Sequence, residues 1–146
     1  MSSLSSIFDG VIDENSTIVT PIAVLKELTQ ELNKRTKGLL FAKVEQHIDS
    51  ENHKFYLEFY ITAPYLNNYS YDAFTVNHDL GFYPLSIKSN SGKLVAKAEN
   101  QEEFEKELKL IFSSSEIKKV INGLLAQVKQ VKPITAIDED GDDIPF

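Results

Sequence analysis

The chain contains no cysteine. Disulfides, a thiolate nucleophile and a thiolate metal site are therefore excluded. That usage suits a reducing compartment such as the cytoplasm. No apolar run approaches the length that spans a bilayer. The opening Met1-Ser2-Ser3-Leu4-Ser5-Ser6 lacks the basic and apolar regions of a secretory signal. An excess of positive charge is also missing: 15 Lys and Arg stand against 22 Asp and Glu. A strongly basic nucleic-acid footprint is thus absent, which leaves room for a local patch only. No phosphate-binding glycine loop, dinucleotide fingerprint or nucleophile elbow occurs. The expectation is a protein without enzymatic activity and without a cofactor. His47, His53 and His78 show no ligand spacing and read as ordinary surface side chains, so no metal site is expected. Glu107-x-Lys109 echoes a nuclease motif but falls on a predicted helix, where it reads as a solvated face. Asp138-x-Asp140-x-Asp142 resembles the start of a calcium loop, yet Gly141 sits one place early and the closing Glu is missing.

What is present is enough for one domain with a real core: 146 residues, 42% of them hydrophobic. Residues 1 to about 19 read as a loose arm. Thr20-Pro21 is a helix start, with Thr20 as N-cap and Pro21 in the first turn. Val24, Leu25, Leu28 and Leu32 then recur on one helical face. Gly38 follows where a left-handed cap is wanted. This predicts a helix over 21–37.

Alternating segments come next. Leu40, Ala42, Val44 and Ile48 alternate with Lys43, Glu45 and His47. Residues 49–52 form a turn by composition. Phe55, Leu57, Phe59 and Ile61 alternate with Tyr56, Glu58, Tyr60 and Thr62, the strongest strand pattern in the chain. Strands are also predicted over 69–76, 82–87 and 93–98. The turn between the first two of these is placed at Asn77-His78-Asp79. Pro84 marks the fourth strand as an edge or bulged strand. Asn100 with Glu103 is a capping box that opens a second helix, and Ser113 with Glu116 is another that opens a third. Gly123 lies inside the third helix, where close packing would explain it. The order helix, four or five antiparallel strands, two helices predicts an α+β fold over 20–130.

Two sets of residues carry candidate function. On the sheet, Tyr56 and Tyr60 fall on the face opposite Phe55 and Phe59. There they can stack on unpaired bases, with Lys43, Lys54 and Lys88 near enough to meet phosphates. The plainer reading is that tyrosines favour strands and cross-strand pairs. The second set is the stretch Asp138-Glu139-Asp140-Gly141-Asp142-Asp143-Ile144-Pro145-Phe146. Formal net charge is −7, and the five acids of this stretch supply −5, leaving −2 for the rest. Acids followed by three apolar residues suit a segment left outside the domain and buried in something else.

Asp142-Asp143-Ile144-Pro145-Phe146 resembles the C-terminal tip of bacterial single-stranded DNA-binding proteins. The resemblance covers the last nine residues and none of the body. In that family the tip is a docking peptide for replication, recombination and repair proteins. It implies that Phe146 is the anchor in an apolar pocket, with Pro145 and Ile144 at the pocket edge. Asp142 and Asp143 would meet a basic rim, supported by Asp138, Glu139 and Asp140. Gly141 interrupts the acidic run, and the link over about 130–137 lacks the long Gly/Gln-rich spacer of that family. The expectation is a disordered docking tail over 131–146 on a replication or repair accessory protein. Its tail would recruit the partners of the single-stranded DNA-binding protein or compete for them. Two alternatives stay open. In one, the sheet itself binds single-stranded DNA, in a divergent analogue from a phage or mobile element. In the other, the body is a binding or inhibitor module unrelated to DNA, and Ile134, Ile137 and Phe146 fold back on it. No membrane partner is expected.

Overall fold

The computed structural model describes residues 3–13 and 15–131. Of the expected docking tail, residues 131–146, Val131 belongs to α3, and residues 132–146 lie outside the described residues. The chain forms a short 3-10 helix (Ser3–Phe8), then α1 (Pro21–Arg35), β1 (Phe41–Asp49) and β2 (Lys54–Ala63). A 3-10 turn (Pro64–Leu66) leads to β3 (Tyr69–His78), β4 (Leu85–Ser89), β5 (Leu94–Ala98), α2 (Gln101–Phe112) and α3 (Ser115–Val131). The five strands pair antiparallel in chain order, so the sheet is a meander with β1 and β5 at its edges. This is the α+β architecture that the pattern implied.

β2 divides the molecule. Its residues Leu57, Phe59, Ile61 and Ala63 are fully buried, and the alternate positions are only half-buried. Helices supply the other side of that core through Val24 and Leu25 of α1, Phe104 of α2 and Val128 of α3. Phe59 and Phe74 stack at 5.0 Å, and Phe112 of α2 meets both edge-on at 5.7 and 5.9 Å. Offset and edge contacts of this kind suit the ring quadrupoles. Among the described residues, the opposite face of the sheet carries no helix.

Helix ends follow local chemistry. Thr20 Oγ1 accepts from the Ala23 N–H at 3.3 Å and opens α1. The helix stops two residues earlier than expected because Thr36 takes over its end. The buried Thr36 hydroxyl donates to the Leu32 carbonyl at 2.9 Å and accepts from the Leu40 N–H at 3.1 Å. That pair of bonds ties the helix exit to the start of β1. Gly38, at φ 81°, takes the left-handed turn between them and donates to the Asn33 carbonyl at 2.8 Å. At α2, Asn100 Oδ1 accepts from the Glu103 N–H at 2.8 Å. Glu103 reaches back one residue further than a capping box requires, to the Glu99 N–H at 2.8 Å.

Four expectations are corrected. Asn77 and His78 are strand rather than turn: β2 starts at Lys54, so β3 has partners as far as His78, opposite Phe55. His78 is accordingly a core residue rather than a surface histidine. It is 5% exposed and stacks on Phe55 at 5.2 Å, and its Nδ1–H donates to the Asp79 carbonyl at 2.7 Å. β4 is an interior strand rather than an edge, although its pairing with β5 shifts register between Ile87 and Lys88. Pro84 has no N–H to give a ladder, so the strand begins just after it, at Leu85. Ser113 closes α2, donating to the Lys109 carbonyl at 2.7 Å, and Ser114 caps α3 by accepting from the Ile117 N–H at 3.3 Å. Glu116, in the first turn of α3, accepts from the Tyr71 hydroxyl at 3.1 Å.

The N-terminal arm buries little. Ile7, Phe8, Val11 and Ile12 are each more than half exposed. Gly123 also departs from expectation, because a Cβ built on it meets nothing within 4 Å. Close packing does not require glycine there, and the residue costs helix stability for no local gain. Gly123→Ala should therefore stabilise the fold by about 1 kcal/mol, measured by urea denaturation. A destabilisation would show that the α3 backbone is approached more closely than described.

Candidate functional site

Strand alternation brings Tyr56, Glu58, Tyr60 and Thr62 onto the helix-free face. The β1–β2 register sets Lys43 opposite Tyr60, Glu45 opposite Glu58, and His47 opposite Tyr56. From the other side, β3 sets Thr75 opposite Glu58 and Asp72 opposite Tyr60. Asp72 reaches this face only because β3 bulges. Phe59 pairs with Phe74 but Tyr60 pairs with Asp72, so Ala73 is the extra residue. Without it, Asp72 would stand opposite Ile61 and face the core. A single inserted residue thus keeps a carboxylate out of the apolar layer.

The polar groups of this face are knitted together. The Tyr60 hydroxyl donates to Glu58 Oε1 at 2.9 Å, and His47 Nε2 lies 2.9 Å from the same oxygen. Lys43 Nζ is 3.2 Å from Glu45 Oε2 and 5.3 Å from the centre of the Tyr60 ring. The Tyr60 phenol is pushed up to about 12, first by its hydrogen bond to Glu58, then by burial and by the nearby charges of Glu58, Asp72 and Glu45. Burial, and then the charge of Glu58, also raises the Asp72 carboxyl. Asp72 Oδ1 is shielded from solvent and takes no hydrogen bond among the described residues.

The residues expected to bind single-stranded DNA are therefore only partly assembled. Tyr56, Tyr60 and Lys43 share one patch, but with Glu45, Glu58 and Asp72 among them. Lys54 sits at the far end of β2, held to Asp79 at 2.7 Å, and that bond raises its ammonium above the usual lysine value. Lys88 lies on β4 beyond Thr75. A groove that tracks phosphates needs a run of cations, and three carboxylates here would repel them. The patch instead has the chemistry of a cation acceptor. Glu45, His47 and Glu58 offer donor atoms that all lie within 4.8 Å of one another. Ligand spacing along the chain alone did not show this, because Glu58 comes from the next strand. The legible part of the signal is Glu45-x-His47, two residues apart on a strand and so on one face.

On the helix side, an open groove of about 470 Å³ runs between α1 and α2. Val24, Leu28, Leu108 and Phe112 floor it, and Glu27 and Glu105 stand among its lining residues. Glu27, Glu31 and Glu105 outnumber Lys109 around it, so its net charge does not match the five-acid segment of this chain. The anchor and rim residues Asp138, Glu139, Asp140, Asp142, Asp143, Ile144, Pro145 and Phe146 lie outside the described residues. No helix of the described residues is long and apolar enough to cross a membrane.

Comparison with protein-family models, with curated proteins and with solved structures found no match to this chain.

The hydrogen bond from Tyr60 to Glu58 has a measurable pH signature. Its folded-state pKa lies above the ordinary tyrosine value of about 10. The neutral phenol is thus favoured by folding. This contribution is whole below about pH 10 and is lost as pH rises through about 12. Glu58→Gln removes the charge that holds the proton. In an ultraviolet phenolate titration, the Tyr60 component should fall towards the ordinary tyrosine range. An unmoved titration would mean that burial alone raises it.

Proposed function

We propose that this chain is a non-enzymatic accessory protein of DNA replication or repair. Its segment Asp142-Asp143-Ile144-Pro145-Phe146 docks on proteins that bind the tip of the single-stranded DNA-binding protein. The observation that carries this reading is the sequence of that segment with its acidic approach. Phe146 supplies the anchor, and burying one Phe side chain is worth about 1.5–3 kcal/mol. The carboxylates add association rate and selectivity at a basic rim more than they add affinity. Together they suit a dissociation constant on the order of micromolar, about −8 kcal/mol, that weakens with salt. The outcome is either recruitment of such partners or competition for them.

The distribution of charge supports placing the contact in the segment rather than in the body. On the helix-free face, Lys43 pairs with Glu45, and Lys54 pairs with Asp79. Stacking of bases on Tyr56 and Tyr60 would have to tolerate the carboxylates beside them. Single-stranded DNA binding by the sheet is accordingly the weaker reading.

Phe146→Ala tests the proposal by calorimetric titration into a helicase, nuclease or clamp-loader subunit that binds such tips. Affinity should fall about 30-fold, equivalent to about 2 kcal/mol. Binding left unchanged by this substitution would remove the basis for the reading.

A further inference from the structure

Glu45 and Glu58 are direct register partners on β1 and β2. Two carboxylates opposite each other repel, and such a pair destabilises a ladder unless something neutralises it. His47 lies two residues from Glu45 on the same face, with its Nε2 2.9 Å from Glu58 Oε1. One donor atom from each of the three falls within 4.8 Å of the others. Their backbones cannot drift, because slipping the β1–β2 register by one residue would send the core residues of β2 to solvent. Asp72 adds a further carboxylate to the surroundings, and its Oδ1 is without a hydrogen bond among the described residues. Against Glu45, Glu58 and Asp72, the adjoining cation is Lys43. The patch is therefore short of positive charge at a point where three metal donors converge.

We propose that Glu45, His47 and Glu58 form a binding site for a divalent first-row transition-metal ion such as Zn²⁺. Imidazole nitrogen and carboxylate oxygen hold Zn²⁺ at about 2.0–2.2 Å, which sets neighbouring donors roughly 3.3 Å apart in a tetrahedron. The three side chains are 28% to 59% exposed, so small rotamer changes bring their donors to that spacing. The donor set discriminates between ions. One imidazole with two carboxylates suits Zn²⁺ and its neighbours, whereas Ca²⁺ asks for six or more oxygens and Mg²⁺ keeps most of its water. Glu58 can serve through Oε2 while Oε1 keeps the Tyr60 hydroxyl. Three protein ligands leave the fourth position open to water or to a small anionic ligand. The site does not depend on the docking reading and sits on a different part of the chain.

The test is a titration of the full chain with Zn²⁺ alone in metal-free buffer, followed by calorimetry and by NMR of the imidazole and tyrosine ring signals. One ion should bind per chain, shifting the His47 and Tyr60 rings. His47→Ala and Glu58→Gln should each weaken binding at least about 10-fold, and His53→Ala should leave it unchanged. His47→Gln, on an exposed strand position, is the second variant should His47→Ala perturb the fold, which circular dichroism reports. Failure of the wild-type chain to take up Zn²⁺ at millimolar ion would overturn the proposal. So would binding that survives both ligand variants with shifts confined to Asp138, Asp140 and Asp142.

Discussion

The alternation of β2 is the constraint from which the rest follows. Ten residues, Lys54–Ala63, pair with β1 on one side and with β3 on the other. Their odd-numbered members from Leu57 onward are sealed beneath three helices. Their even-numbered members, Tyr56, Glu58, Tyr60 and Thr62, have no such cover among the described residues. Burying Leu57, Phe59 and Ile61 is worth about 1.5–3 kcal/mol each. A one-residue slip forfeits all of it at once. That penalty also fixes the polar face, because Glu58 can then lie opposite nothing but Glu45 and Thr75. The crowding of carboxylates around Tyr60 is thus a by-product of packing the opposite side.

How much of this was legible depended on whether one strand's own pattern sufficed. β2, the three helices and the antiparallel run of strands between them were readable because periodicity and capping residues are local. Thr20 and Asn100 play their expected capping parts, while Glu103 accepts from the Glu99 N–H instead of that of Asn100. The failures lie where a partner strand decides. The pattern of β3 changes phase at Ala73, since Tyr71 and Phe74 both face the core though three residues apart. Only the bulge opposite Phe59 and Tyr60 explains that shift. Asn77-His78-Asp79 has turn composition, and the place of His78 opposite Phe55 overrules it. Ser113 and Ser114 are both competent caps, and the choice between them rests on where α2 ends.

The candidate site shows the same division. Alternation puts Tyr56 and Tyr60 on one face of β2, and the β1–β2 register sets Lys43 opposite Tyr60. The acids among them were visible in the sequence as strand-face residues, but their convergence was not. Glu58 meets Glu45 and His47 through pairing between strands, and Asp72 arrives through a bulge. Single-strand binding on this face looked plausible while only its aromatics and lysines were counted. With Lys43 bound to Glu45 and Lys54 bound to Asp79, that chemistry favours a cation over a phosphate.

The proposed separation of labour is that the segment 138–146 makes the contact with partner proteins and the sheet face does not. The direct measurement is a residue-resolved amide NMR titration of the full chain with a protein that binds single-stranded DNA-binding-protein tips. The account predicts shifts and broadening confined to residues 131–146, with Ile144 and Phe146 most affected. Perturbation centred on Tyr56, Glu58 and Tyr60, with the last nine residues unmoved, would contradict it.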